Sequence, residues 1–272
     1  MTDAISVFLA ATTLPFSARV RWFNEFRRWQ KRARAETVVP QGSADVTAIL
    51  LAYRRPQNIV PIVRSLLRVP QIGRVLVSNN NSRTSFPAGL GLGDPRVQVV
   101  QQVIDRPTHL RFSLALADGA PYFLFVDDDV FLTPVQIDRL LRKLKAEPDV
   151  PHGVIGQIYD AWMDRVHHNV RDHEGRLEIL NCVYAVTREH AAGFFRLAES
   201  LGIVPGDPMW NLSVWDDMVL SHAGAGKPKT HCLGTVCVCP SAGADGIAVF
   251  RTESFFRTRM HLLQRLRKLR PL

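Results

Sequence analysis

A chain of 272 residues, 46% of them hydrophobic, can bury a substantial core as one large domain with extensions, and that composition excludes a disordered protein. The net charge of +9 sits at the ends. Residues 1–44 carry seven Lys/Arg against three Asp/Glu and residues 249–272 carry seven against one, which leaves the segment between them at −1. No helix-turn-helix, zinc-finger or RNA-binding signature accompanies that charge, so no nucleic acid partner is expected. No P-loop, Gly-x-Ser-x-Gly or dinucleotide fingerprint marks a kinase, hydrolase or dehydrogenase.

In chain order, the apolar stretch 4–16 is too short to cross a bilayer, is broken by Thr12, Thr13 and Pro15, and follows Asp3 rather than a basic flank. Trp22, Phe23, Phe26 and Trp29 then recur at helical spacing among Arg19, Arg21, Arg27, Arg28, Lys31 and Arg32. Strands over 46–53, 74–78 and 97–102 alternate with helices over 57–68 and 110–118, followed by a strand over 122–126 and a helix over 134–146. This rhythm predicts an α/β fold with a doubly wound, mostly parallel sheet. Further on, 153–158 and 177–186 read as strands, 188–201 as a helix, 216–225 as a short helix stopped by Gly226, and 235–238 as a strand.

The C-terminal stretch repeats the basic amphipathic pattern, with Phe255, Phe256, Leu262, Leu263, Leu266 and Leu269 among Arg257, Arg259, Arg265, Arg267, Lys268 and Arg270. Such helices either lie on an anionic membrane surface or pack their stripes on the domain or another copy, and both readings stay open here. The division expected is a basic N-terminal extension over 1–44, a central domain over 45–248 and a basic helix over 249–272. A cytoplasmic protein, peripheral on the inner membrane face, is the expected setting.

The strongest chemical signal is the run Tyr122-Phe123-Leu124-Phe125-Val126-Asp127-Asp128-Asp129-Val130. Three adjacent carboxylates cannot lie inside a buried strand, so they are expected just past its C-terminal end, where open α/β sheets bind ligands. A hard cation, Mn²⁺ or Mg²⁺, takes one or two carboxylates plus the oxygens of a bound phosphate, and this cluster supplies the protein's share. The alternative is an acidic turn before a helix that starts at Pro134 with Thr133 as its N-cap.

Several segments together carry a family resemblance. Tyr53-Arg54-Arg55-Pro56, Ser78-Asn79-Asn80, Leu110-Arg111-Phe112, the triple aspartate, Asp216-Asp217, Gly226-Lys227-Pro228 and Val249-Phe250-Arg251-Thr252-Glu253 occur in the order seen in the exostosin-like group of GT-A glycosyltransferases. The chain resembles that group over about residues 45–257. The resemblance implies a GT-A fold and a metal-dependent, retaining transfer of a sugar from a nucleotide diphosphate to a glycan or lipid-linked acceptor. UDP-sugars, N-acetylhexosamine among them, and GDP-mannose are the donors it implies.

On that resemblance Asp129 is the metal ligand, Asp127 binds the nucleotide's ribose and Asp128 lies between sugar and metal. Arg55, Asn79, Asn80 and Arg111 face the donor. Asp217 lies at the reacting centre, Asp216 contacts the acceptor and Arg251 meets the departing diphosphate. The chemistry fits, because a cation stabilises the leaving diphosphate and a carboxylate stabilises an oxocarbenium-like sugar. An inverting enzyme with Asp217 or Asp216 as general base is the first alternative, and a non-catalytic nucleotide-sugar or membrane-binding protein the second. Trp215 and Ser254 stand where the group has two cysteines, as a reducing compartment permits. Cys182, Cys232, Cys237 and Cys239 are expected as free thiols, and His222 as a core or helix-surface residue.

Overall fold

Strand β1 (Val46–Ala52) is buried at every position, which a strand reaches only at the centre of a sheet covered on both faces. The computed structural model describes residues 16–160, 165–166, 170–240 and 253–271. Alongside β1 run the parallel strands β2 (Ile72–Asn79), β3 (Val97–Gln101) and β4 (Tyr122–Asp127). The sheet is completed by β5 (His152–Gly153), β6 (Gly175–Arg176), β7 (Val183–Thr187) and β8 (Lys229–Thr230), in the order β6-β8-β5-β7-β4-β1-β2-β3. Strand β7 runs antiparallel to β4, so the sheet is mixed and mostly parallel.

Alternate side chains of the central strands feed two cores. Ala48, Leu50, Leu124 and Val126 point to one face, where helices α1 (Phe16–Ala35), α2 (Pro56–Leu66) and α4 (Pro134–Ala146) pack. Ile49, Phe123 and Phe125 point to the other, shared with α3 (Leu110–Asp118), α5 (Arg188–Ser200), α6 (Asp216–Ser221) and α7 (Glu253–Leu269). Thr133 caps α4 through a capping box with Gln136, as its sequence suggests. Gly119, at φ 89°, ends α3 in the left-handed conformation that glycine adopts without strain.

Two expected strands are interrupted. The segment 177–186 divides into a short pair at Ile179–Leu180 and then β7, because Cys182 takes φ 65° and the Val183 N–H bonds back to Asn181 O. The segment 153–158 likewise splits, with Gly156–Gln157 pairing to Ile179–Leu180. Helix α6 stops at Ser221, short of Gly226.

The amphipathic ends pack inward. Trp22, Phe26 and Trp29 surround Phe131, with ring centroids 5.6, 5.2 and 5.1 Å away, while Leu262, Leu263 and Leu266 of α7 are buried in the second core. The buried part of each stripe therefore belongs to the domain, since burial against existing core removes apolar surface from water, while Phe256 and Leu269 of α7 stay exposed. Among the described residues no helix is long and apolar enough to cross a membrane. Phe131→Ala is expected to destabilise the fold by about 3–5 kcal/mol through the cavity left under α1, as read by chemical denaturation. A cost below about 1 kcal/mol would mean that α1 does not depend on this contact.

Candidate active site

Because β1, β2 and β4 are parallel, their C-terminal ends open on one side of the sheet. Strand β7, antiparallel to β4, begins there too: Val183 pairs with Val126, and Cys182 O accepts the Asp127 N–H at 2.9 Å. The three aspartates emerge at this edge. Asp127 and Asp129 turn toward Cys182, and one ligand atom from each of the three lies within 4.8 Å of the others.

Asp128 turns the other way. It is 5% exposed, its Oδ1 accepts from Arg55 at 2.6 Å, its Oδ2 accepts from the Tyr53 N–H at 3.1 Å, and its carbonyl accepts from Asn58 Nδ2. It thereby ties the end of β4 to the turn between β1 and α2. Arg55 reaches on to Asp129 at 3.4 Å.

Burial pushes the Asp129 carboxyl up to about 7, and the neighbouring Asp127 and Asp128 add to the shift while Arg55 opposes it. Burial likewise raises Asp127, opposed by Arg111. Oδ1 of Asp129 is buried without a hydrogen-bond partner. This orphaned oxygen beside the Asp127 carboxylate fits a divalent cation, which would satisfy it and offset the repulsion between the two groups. The Cys182 thiol is held well above its usual range by burial and by Asp129 and Asp127, so without a cation it stays protonated.

Arg111 links this cluster to the acid pair. From the first turn of α3 its Nη1 donates to Asp127 Oδ1 at 2.7 Å and its Nε to Thr108 O at 3.0 Å, with the guanidinium 5.7 Å from the centre of the Tyr184 ring. It is almost wholly buried and is held charged by Asp127 and Asp216 against the effect of burial.

Asp216 and Asp217 begin α6. Trp215, just before them, is fully buried and stacks on Phe194 at 5.2 Å, which anchors the start of the helix by packing. Burial pushes Asp216 up to about 6, with Arg111 opposing and Asp217 reinforcing. Asp217 is paired in a bidentate fork with Arg259, at 2.6 and 2.8 Å.

Six residues singled out in the sequence, Asp127, Asp129, Arg55, Arg111, Asp216 and Asp217, thus converge on one edge. Asn79 and Asn80 are buried within their own loop. The Asn79 amide donates to Thr84 O and Gln101 Oε1, and that of Asn80 to the carbonyls of Arg106 and Pro107. Arg251 lies outside the described residues. Arg259 reaches the site although it belongs to the basic C-terminal pattern. Its spacing of four and seven from Leu263 and Leu266 is the signal that sets it on the buried stripe. The four cysteines are free thiols, and His222 is a core residue bonded to Met218 O.

A mixed, mostly parallel sheet with an acid-lined crevice at the strand ends defines the GT-A class. The chain belongs to Glycosyl transferase family 2, whose signature it matches over residues 47–201. Among solved structures it is similar to the crystal structure of GalNAc-T7 with UDP, GalNAc and Mn²⁺. The TM-score is 0.48 at 9% identity, covering 70% of this chain and 42% of that one. This chain therefore spans less than half the length of that relative. No curated protein matches it in sequence.

Proposed function

We propose that this protein transfers a sugar from a nucleotide-diphosphate donor, a UDP-sugar or GDP-mannose, to a glycan or lipid-linked acceptor with the help of Mn²⁺ or Mg²⁺. The observation that carries this reading is the convergence of Asp127, Asp129 and the Asp216–Asp217 pair around Arg111. Asp127 and Asp129 would hold the cation, which when bound stabilises charge on the departing diphosphate. Arg111 and Arg55 oppose the effect of burial on those carboxylates and hold them in place. Asp128, with Asn79 and Asn80, shapes the loops that frame the donor. Screening nucleotide sugars for metal-dependent thermal stabilisation and turnover tests the reading. No stabilisation by any donor with either metal would refute it.

For the stereochemistry, retention follows from the exostosin-like resemblance, with Asp217 beneath the anomeric carbon. One observation favours inversion. Burial raises Asp216 to about 6, which gives the acid pair a proton affinity suited to accepting an acceptor hydroxyl's proton near neutral pH. Asp217, the carboxylate of the pair engaged by Arg259, then lies beside it at the reacting centre. The anomeric configuration of the product, read by NMR, decides between the two. The segment 45–248 would form the catalytic unit, braced by the helices on either side. An anionic membrane or a second copy remains a partner for the exposed arginines of α1 and α7 and for the exposed Phe16, Val20, Phe256 and Leu269 beside them.

The raised Asp129 carboxyl predicts a pH dependence. In the cation-free protein the folded state binds a proton that the unfolded state releases between pH about 4 and about 7. The contribution of Asp129 to stability in chelator should therefore fall as pH rises through that window, with Asp127 and Asp216 acting in the same direction and the lowered His109 and His152 in the opposite one, so the wild type is compared with Asp129→Asn. Metal affinity should rise over the same window, because cation and proton compete for the carboxylate. Denaturation and calorimetric titration across pH check both trends, and Asp129→Asn should flatten them. A wild-type curve that does not fall relative to that of Asp129→Asn between pH about 4 and about 7 would contradict the assignment.

A further inference from the structure

Arg259 is held in the site by four hydrogen bonds, and it comes from the last described helix, beyond the segment matched to the family. Its side chain is 4% exposed. One Nη donates to Asp217 Oδ1 at 2.6 Å and to Val214 O at 3.0 Å, while the other donates to Asp217 Oδ2 at 2.8 Å and to Gln157 Oε1 at 3.2 Å. The Phe255 ring lies 5.1 Å from the guanidinium carbon. Three distant segments, around 157, 214–217 and 259, therefore meet on one guanidinium.

Burying an ion pair brings little net stability, because the desolvation of both charges offsets their attraction. What a two-point fork does provide is orientation. A carboxylate gripped through both oxygens cannot rotate, and a planar guanidinium with four hydrogen bonds cannot follow it. Resting on the transferase reading above, we propose that Arg259 is the positioning residue of the acid pair, fixing the direction of the Asp217 carboxylate at the reacting centre. The C-terminal helix then belongs to the catalytic unit through this side chain. Among the described residues, the other charged and titratable groups facing the pair are Arg111 from α3, Asp127 at the end of β4, Cys182 in the turn before β7 and Tyr184 within it. None of them grips Asp217 through both oxygens.

Arg259→Gln and Arg259→Lys test this in the full-length protein. In the Gln variant, kcat is expected to fall at least about a hundredfold, while binding of nucleotide with Mn²⁺, measured by calorimetry, stays within about twofold because the cation site is untouched. Loss of the nearby positive charge should also move the acid limb of the kcat profile upward by about one pH unit. Lys restores the charge but not the fork, so it should return the limb toward its wild-type position and recover about tenfold in kcat. A Gln variant within about threefold of wild type overturns the proposal. So does a fall in kcat with an unmoved limb and no recovery by Lys, which is what a purely structural role would produce.

If Arg259→Gln does not fold, the decision passes to Arg259→Lys and to Gln157→Ala, which removes one of the bonds orienting the guanidinium. Both should lower kcat at constant donor affinity, and unchanged kcat in both overturns the proposal. A crystal structure of Arg259→Lys separates this inference from the transferase reading. A turned Asp217 carboxylate supports positioning even if no donor is ever turned over, and an unchanged one refutes it.

Discussion

Asp129→Asn is expected to reduce turnover by at least about a thousandfold while leaving the fold intact or more stable. The carboxylate is largely shielded from water, and its buried Oδ1 has no hydrogen-bond partner, so its negative charge is an expense to the cation-free fold. Asparagine keeps the size and removes the charge that a divalent ion requires. Denaturation in chelator should show equal or greater stability for the variant at pH 7, with Mn²⁺ no longer raising its Tm. Turnover within tenfold of wild type would remove Asp129 from the metal role, as would wild-type activity that survives excess chelator. Asp127→Asn should act mainly through donor affinity, because its loss also frees Arg111.

Asp217→Asn should lower kcat at least about a hundredfold with little change in nucleotide affinity, since a neutral amide stabilises neither a developing positive charge nor a departing proton. The structure attaches a cost to this variant. Removing one partner of a buried ion pair destabilises by about 3–5 kcal/mol, because Arg259 is left charged in the core. The folded fraction therefore has to be measured first, and kcat compared at a temperature where both proteins are folded. Near-normal kcat in a folded Asp217→Asn would move the chemistry to Asp216, and the same result with Asp216→Asn would move it outside the pair.

The alternation of strands and helices between 46 and 146 was legible in the sequence because each central strand is a short apolar run bounded by turn residues. The acid cluster was legible for the same reason: charge cannot remain inside such a strand. The turn at Cys182 was hidden, because Asn181 and Cys182 interrupt the apolar run 177–186 without a Gly or Pro to mark the break.

By itself, then, the sequence determined the layered α/β architecture, the strand end at which chemistry had to lie, and the carboxylates available there. Tertiary structure decided which way each of them faces. Adjacent aspartates look alike in one dimension, but past the end of β4 Asp127 and Asp129 turn toward Cys182 while Asp128 turns back to Arg55 and Tyr53. It also decided where the apolar faces of the basic ends pack. Amphipathic spacing specifies an apolar stripe without naming its partner, and only the packed fold presents Phe131 to α1 and Asp217 to Arg259. A contact 42 residues apart in the chain depends on how sheet and helices close around it, and no local pattern of residues encodes that distance.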